Sequence, residues 1–113
     1  MKTTNKLYLE TIEAHPDYAP FPFVVAGDSM APAYPGGTRI LCQRVDEVAF
    51  IEWGRVYLLD TINGVMLKQV CKSDIPGCVT CCSLNPDPAY TSFDVDTKYI
   101  RGWFRVLMKM TLV

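Results

Sequence analysis

The sequence places one serine at a sharp turn. Residues 24–37 read VVAGDSMAPAYPGG, so an apolar, strand-like run leads to Ser29, and two prolines and two glycines follow it. A rigid turn of this kind fixes the direction of one side chain, as a catalytic nucleophile requires. A serine hydroxyl is a poor nucleophile until a base removes its proton, so the chemistry of Ser29 depends on a second residue.

Lys68 is one candidate base. It interrupts an apolar strand-like run, with Met66 and Val70 on its own face and Leu67 on the other. Apolar neighbours desolvate the charged amine and lower its pKa, so a neutral amine becomes able to accept the serine proton. This is the basis of Ser-Lys catalysis. The alternative is a structural lysine whose amine extends to water.

His15 is the other candidate base. It is the only histidine in the chain, so any Ser-His-Asp triad would have to use it. It precedes Pro16 in the weakly patterned residues 15–22, HPDYAPFP, which suit neither a helix nor a central strand. This position favours an exposed loop histidine over a precisely held base.

The composition is that of a single globular domain. Of 113 residues, 50% are hydrophobic and 20% charged, and the formal net charge is −1. That charge gives no indication of binding to nucleic acid or to an anionic membrane. No apolar run approaches the roughly 20 residues of a membrane helix, and no signal peptide is visible. We therefore expect a cytoplasmic protein that does not contact membranes.

The five cysteines read as structural thiols. Their odd number, without a secretion signal, favours reduced thiols over a disulfide framework. The run CVTCC, residues 78–82, invites a zinc site, but in a strand Cys81 and Cys82 point to opposite faces. No histidine lies nearby to complete a tetrahedral set. We expect no metal and no cofactor.

The pattern predicts a mainly β fold of short antiparallel strands with at most short helical turns. Residues 1–22 are expected to form an extended arm and residues 23–113 the domain. Asn63-Gly64 is a strong hairpin signal, and a turn at these two residues places Lys68 opposite Leu59. The predicted strands are residues 23–26, 38–45, 54–61, 65–70, 78–84 and 99–110, the last alternating with apolar even positions as a half-buried strand or two.

Two long segments together resemble a known family. FVVAGDSMAPAYPGGTRILCQR, followed by GRVYLLDTINGVMLKQV, is similar to the peptidase domain of LexA-type repressors, a family that includes the UmuD mutagenesis proteins and many phage repressors. The turn matches at Gly27, Ser29, Met30 and Pro32, and Lys68 follows at close to the family spacing. SLNPDPAYTSFDVD resembles a later family segment, so the likeness covers about residues 21–110.

The resemblance implies a role for each matching residue. Ser29 would be the nucleophile and Lys68 the general base, and the backbone N–H groups of Asp28 and Ser29 would form the oxyanion hole. Gly27, Met30 and Pro32 would shape the turn. The implied fold is the LexA and signal-peptidase type, built from short, strongly bent strands.

The resemblance also implies partners. The family usually forms homodimers through its last strands, here residues 99–110, where Trp103, Arg105 and Leu107 are interface candidates. Trp103 has a core position as its equal alternative, and Phe104 is expected in the core. A RecA filament is a further partner that the family implies. DNA contact would require an N-terminal domain that this sequence does not contain.

The sequence departs from the family at two places. Thr38 replaces the aspartate that usually follows the glycine at Gly37. Self-cleaving members cut an Ala-Gly or Cys-Gly bond in their N-terminal arm, but the only such pair here, Ala26-Gly27, belongs to the serine turn. We therefore expect a Ser-Lys peptidase domain of a transcriptional regulator. The alternatives are a catalytically idle dimerisation module and a signal-peptidase relative, although that class needs a membrane anchor.

Overall fold

The computed structural model describes residues 18–46 and 50–110. The mainly β fold that the sequence predicts is confirmed, and a short 3-10 turn, Thr97–Tyr99, precedes the last strand. Within the described residues, no helix has the length and apolar character that crossing a membrane needs. The seven strands are β1 (Phe21–Val24), β2 (Arg39–Val45), β3 (Arg55–Thr61), β4 (Gly64–Lys72), β5 (Cys78–Cys82), β6 (Phe93–Asp96) and β7 (Ile100–Met110).

The strands form one antiparallel sheet in the order β1-β2-β7-β3-β4-β5-β6. β7, the last strand in the sequence, lies inside the sheet and pairs with both β2 and β3. Its register shifts twice, leaving Leu107 without a partner on β2 and Arg101 without one on β3. Such bulges bend a strand and increase its twist. They also break the strict alternation predicted for residues 99–110, because each one moves the following side chains to the other face.

Both faces of the sheet are covered near its middle. Leu58 and Leu59 are neighbours on β3 and are both buried, but they belong to different clusters. The first cluster consists of Tyr57, Leu59, Val70, Val79, Cys81, Ile100 and Trp103. The second consists of Val25, Met30, Ile40, Cys42, Leu58 and Leu67. A strand covered on both faces reads as a continuous apolar run, which explains the sequence YLL at residues 57–59.

The hairpin between β3 and β4 forms, but not with the predicted turn. Thr61 pairs with Gly64, so Ile62 and Asn63 are the loop residues, and Lys68 lies opposite Tyr57 rather than Leu59. A type I′ turn at Asn63-Gly64 would require a positive φ at Asn63, and within the described residues only glycines have a positive φ. The Thr61 hydroxyl instead closes the loop, donating to the Gly64 carbonyl at 2.8 Å and accepting from the Asn63 N–H at 3.1 Å.

The N-terminal boundary lies earlier than predicted. β1 begins at Phe21, inside the predicted arm, and the Phe21 ring packs edge-on against Phe104 with centroids 5.3 Å apart. Pro22 is accommodated because β1 is an edge strand, which has fewer ladder hydrogen bonds to supply. His15 and the rest of residues 1–17 lie outside the described residues. β6 was not predicted, and β5 ends at Cys82, two residues before the predicted end at Leu84.

Trp103 is a core residue and not an interface contact, so of the two positions that the sequence left equally open the core position is correct. Its side chain is 1% exposed in the first cluster and packs edge-on against Tyr57, with ring centroids 5.8 Å apart. The bulge at Arg101 shifts the alternation of β7 by one residue. Trp103, at an odd position, therefore lies in the same cluster as Ile100, at an even position. Phe104 packs partly buried against the second cluster, as predicted. Arg105 and Leu107, the other interface candidates, are exposed.

Candidate active site

The serine turn is closed at its base and anchored in the core. The Val25 N–H donates to the Thr38 carbonyl, and the Gly37 N–H donates to the Val25 carbonyl, both at 2.8 Å. Met30, next to Ser29, is buried in the second cluster, and its Sδ accepts the Leu84 N–H at 3.4 Å. Because the neighbouring side chain is fixed in the core, Ser29 is held at the surface in a defined place.

The glycine and proline content of the turn has structural reasons. Gly27 has a φ of +76°, a conformation that L side chains rarely adopt. A Cβ on Gly36 would lie 3.0 Å from the Gly27 carbonyl oxygen, so the two arms of the turn approach each other closely there. The Ala31-Pro32 peptide bond is cis. The predicted supporting residues Gly27, Met30 and Pro32 therefore all lie in the turn that presents Ser29.

The structure brings Lys68 to Ser29. The Lys68 Nζ lies 2.9 Å from the Ser29 Oγ and 3.0 Å from the Ser83 Oγ. Only 9% of the Lys68 side chain is exposed. Both contacts are with hydroxyl groups, and within residues 18–46 and 50–110 no carboxylate forms an ion pair with this amine. Among these residues, the buried amine therefore has hydroxyl partners and no counter-ion.

Burial sets the protonation of this site. It lowers the pKa of Lys68 below the ordinary 10.5, and a smaller effect of the neighbouring Cys81 opposes it. Burial also raises the pKa of the Cys81 thiol to about 11, so that thiol is uncharged at neutral pH. The site thus favours the neutral amine, the form that can accept the proton of the Ser29 hydroxyl.

The backbone around Ser29 leaves donors available. Asn85 binds two successive carbonyls of the turn: its side-chain amide donates to the Asp28 carbonyl at 2.8 Å and its N–H to the Ser29 carbonyl at 3.0 Å. Among the described residues, neither the Asp28 N–H nor the Ser29 N–H donates a hydrogen bond. Because C=O and N–H point in opposite directions across a trans peptide, the Ser29 N–H points away from Asn85. These are the two groups predicted to form the oxyanion hole.

A small depression adjoins Ser29. Its volume is about 130 Å³, and apart from the Ser29 hydroxyl and the Lys68 amine its side chains are apolar. The adjacent part of β4, residues 64–68, pairs with β3 on one side, whereas pairing with β5 begins only at Gln69. The depression is lined by Phe23, Val25, Ala26, Ser29, Met30, Val65, Met66, Leu67 and Lys68.

Sequence reasoning missed Ser83 and gave Asn85 no role. Ser83 directly follows the end of β5, and its contact with Lys68 depends on where that strand stops. Nothing in the local pattern distinguishes it from other serines. Asn85 stands in the turn sequence NPDP, where its ability to bind backbone groups was a usable signal.

Two of the cysteines lie near the site: Cys42 is buried in the second cluster with Met30, and Cys81 is close enough to Lys68 to affect its pKa. Cys81 is buried in the first cluster, whereas Cys82 is half-buried and contacts Cys71. The two neighbours thus take different environments, as strand alternation predicts. All five cysteines have free thiols. Within the described part of the chain, no three His, Cys, Asp or Glu side chains form a group that could hold a metal ion.

Comparison with known proteins gives no match: neither a protein-family model nor a curated protein sequence matches this chain.

Replacing Lys68 by methionine tests whether burial of the charged amine lowers the free energy of unfolding. Because the pKa of Lys68 is lowered in the folded protein, the unfolded chain binds this proton more tightly, and protonation favours unfolding. Relative to Lys68→Met, the native protein should therefore gain stability as pH rises from the lowered pKa towards 10.5. Urea unfolding of both proteins across this range measures the difference. Lys72→Met, at an exposed position of the same strand, is the control, and a difference independent of pH would contradict the expectation.

Proposed function

We propose that this chain is a Ser-Lys serine peptidase domain of a LexA-type transcriptional regulator, able to cleave its own polypeptide and to dimerise. One observation carries the proposal: a buried amine, with no carboxylate partner among the described residues, lies 2.9 Å from the hydroxyl of a serine held in a rigid turn. The free N–H groups beside that serine and the resemblance of the sequence add support.

In the proposed reaction, the neutral Lys68 amine takes the proton of Ser29 as the Oγ attacks the scissile carbonyl. The negative charge on the carbonyl oxygen is stabilised by the N–H groups of Asp28 and Ser29. The Lys68 ammonium then returns the proton to the leaving amine, and the C–N bond breaks. Water, deprotonated by the same amine, attacks the acyl-serine and releases the second product.

Ser83 supports this reaction as a positioning residue. A neutral amine has one lone pair and two N–H donors. Donation of one N–H to the Ser83 Oγ, at 3.0 Å, limits rotation of the amine. The lone pair is then available to accept the proton of the Ser29 hydroxyl, whose Oγ lies 2.9 Å from Nζ.

The lining of the site indicates the class of substrate. The depression beside Ser29 is apolar and, at about 130 Å³, suits a small side chain next to the scissile bond. Residues 64–68 of β4 have a ladder edge that is not paired with β5, so an extended peptide can add there as a further strand. The proposed substrate is therefore an extended segment with a small apolar residue before the cleaved bond.

Labelling with a fluorophosphonate tests the dyad. Ser29 should displace fluoride from the probe at a rate that increases as pH rises through the lowered pKa of Lys68, because only the neutral amine accepts the proton. Intact mass spectrometry over a pH series measures the rate. Ser29→Ala should abolish labelling, and Lys68→Met, which preserves the bulk and removes the base, should reduce it by about 100-fold or more. Labelling of Lys68→Met at the native rate would refute the assignment.

A pair of variants tests Ser83. Ser83→Ala should slow labelling by up to about tenfold, the value of one hydrogen bond, and Ser83→Thr should restore most of the rate because it keeps the hydroxyl. The ratio of the two rates is the measurement, since a general loss of packing would not be rescued by threonine. Native labelling by Ser83→Ala would remove the positioning role.

Dimerisation is the second part of the proposal. It does not depend on the Ser29 and Lys68 pair being catalytically active. The end of β7 exposes Leu107, Met108 and Met110, an apolar set next to Arg105 that a second copy could cover. We place the protein in the cytoplasm, with DNA bound through a separate N-terminal domain and a RecA filament as the stimulating partner.

Sedimentation equilibrium tests the dimer. Mass should rise with concentration from the 12.7 kDa monomer towards twice that value, and Leu107→Asp should shift the equilibrium to monomer. Ile75→Asp, a charge at an exposed position between β4 and β5, is the matched control. Dimers without fluorophosphonate labelling would favour the idle module, and monomers at every concentration would refute dimerisation.

A further inference from the structure

Two thiols on neighbouring strands lie in contact. The Sγ of Cys82, at the end of β5, is 3.8 Å from the Sγ of Cys71 on β4. Cys71 pairs with Thr80 and Cys82 with Gln69, so the two cysteines are diagonal neighbours in the ladder. Both side chains are half-buried, which leaves them accessible to small molecules.

The pair occupies the face of the sheet opposite the first cluster. Val70, Val79 and Cys81 point into that cluster, and the residues that alternate with them point away from it. On this outer face Thr80, the pairing partner of Cys71, donates to Asp94 at 2.6 Å. The surroundings of the thiols are therefore polar and partly open, unlike those of Cys42 and Cys81, which are fully buried.

We propose that Cys71 and Cys82 form a redox-active dithiol that hydrogen peroxide converts into an intramolecular disulfide. The proposal is independent of the Ser29 and Lys68 function. The sulfurs are already in contact, and closing the bond requires them to approach by less than about 2 Å. Because β4 and β5 are already paired, no other strand takes part in bringing the two sulfurs together.

The reaction balances in two steps. The Cys71 thiolate attacks one peroxide oxygen, the O–O bond breaks, and Cys71 sulfenic acid and one water form. The Cys82 sulfur then attacks the Cys71 sulfur, the S–O bond breaks, and the second water leaves. Two thiols lose two electrons and two protons, and one peroxide is reduced to two waters.

The order of the two thiols follows from their surroundings. Burial, together with the contact from Cys71, raises the pKa of the Cys82 thiol, so Cys82 holds its proton and is slow to attack peroxide. Cys71 is therefore expected to react first and Cys82 to resolve the sulfenic acid. The same argument keeps Cys42 and Cys81 reduced, because burial raises the pKa of each to about 11.

Cys78 provides a matched control. It lies on β5 on the same face as Cys82, displaced equally from Thr80 but in the other direction. The twist of the strands makes the two diagonals unequal, and within the described residues the sulfur contact of Cys71 is with Cys82. If proximity determines the reaction, Cys71 must form its disulfide with Cys82 and not with Cys78.

The test treats the reduced, full chain with stoichiometric hydrogen peroxide, blocks remaining thiols under denaturing conditions and digests with trypsin. Cleavage after Lys68, Lys72 and Lys98 separates residues 69–72, with Cys71, from residues 73–98. The expected product is a cross-link of these peptides, assigned by fragmentation to Cys82, reversible by dithiothreitol and present in Cys78→Ser. Cys71→Ser and Cys82→Ser should each lose it. A cross-link to Cys78 or Cys81, or no cross-link at all, would overturn the proposal.

Discussion

The site depends on the burial of one lysine amine that has no counter-ion within residues 18–46 and 50–110. Removing a charged group from water is costly unless a partner compensates, and the partners of Lys68 are two neutral hydroxyls. The physical outcome is that burial lowers the pKa of Lys68 and so favours the neutral form of the amine beside Ser29. A lysine kept for packing alone would extend to water, as Lys72 does at the end of the same strand.

The rest of the sheet holds this amine and Ser29 in register. Lys68 is positioned by pairing with Tyr57 in the hairpin, whereas Ser29 is positioned by Met30 in the second cluster. The segment after β5 joins the two, because Ser83 contacts the amine and Asn85 binds the carbonyls of the serine turn. The chemistry therefore depends on three separate parts of the chain meeting around the Lys68 amine.

The features that local sequence patterns determine, namely most strands and the two main site residues, could be predicted from the sequence. Alternation and turn residues located six of the strands, and the rigid turn with an apolar-flanked lysine led to Ser29 and Lys68. The hairpin register was wrong because Thr61, rather than Asn63-Gly64, closes the loop. Trp103 was ambiguous because a bulge at Arg101 changes its face, and bulges have no local signature here. Ser83 could not be predicted, since its role arises from a long-range contact.

The most direct test is a titration of the Lys68 amine by NMR, following the ¹³Cε signal that disappears in Lys68→Arg. A neutral amine poised to activate Ser29 requires a midpoint below 10.5 in the native protein and a return to that value in urea. A native midpoint at or above 10.5 would mean that the fold does not favour the neutral amine. Lys68 would then be a structural donor to two serines, and the proposed general base would be lost.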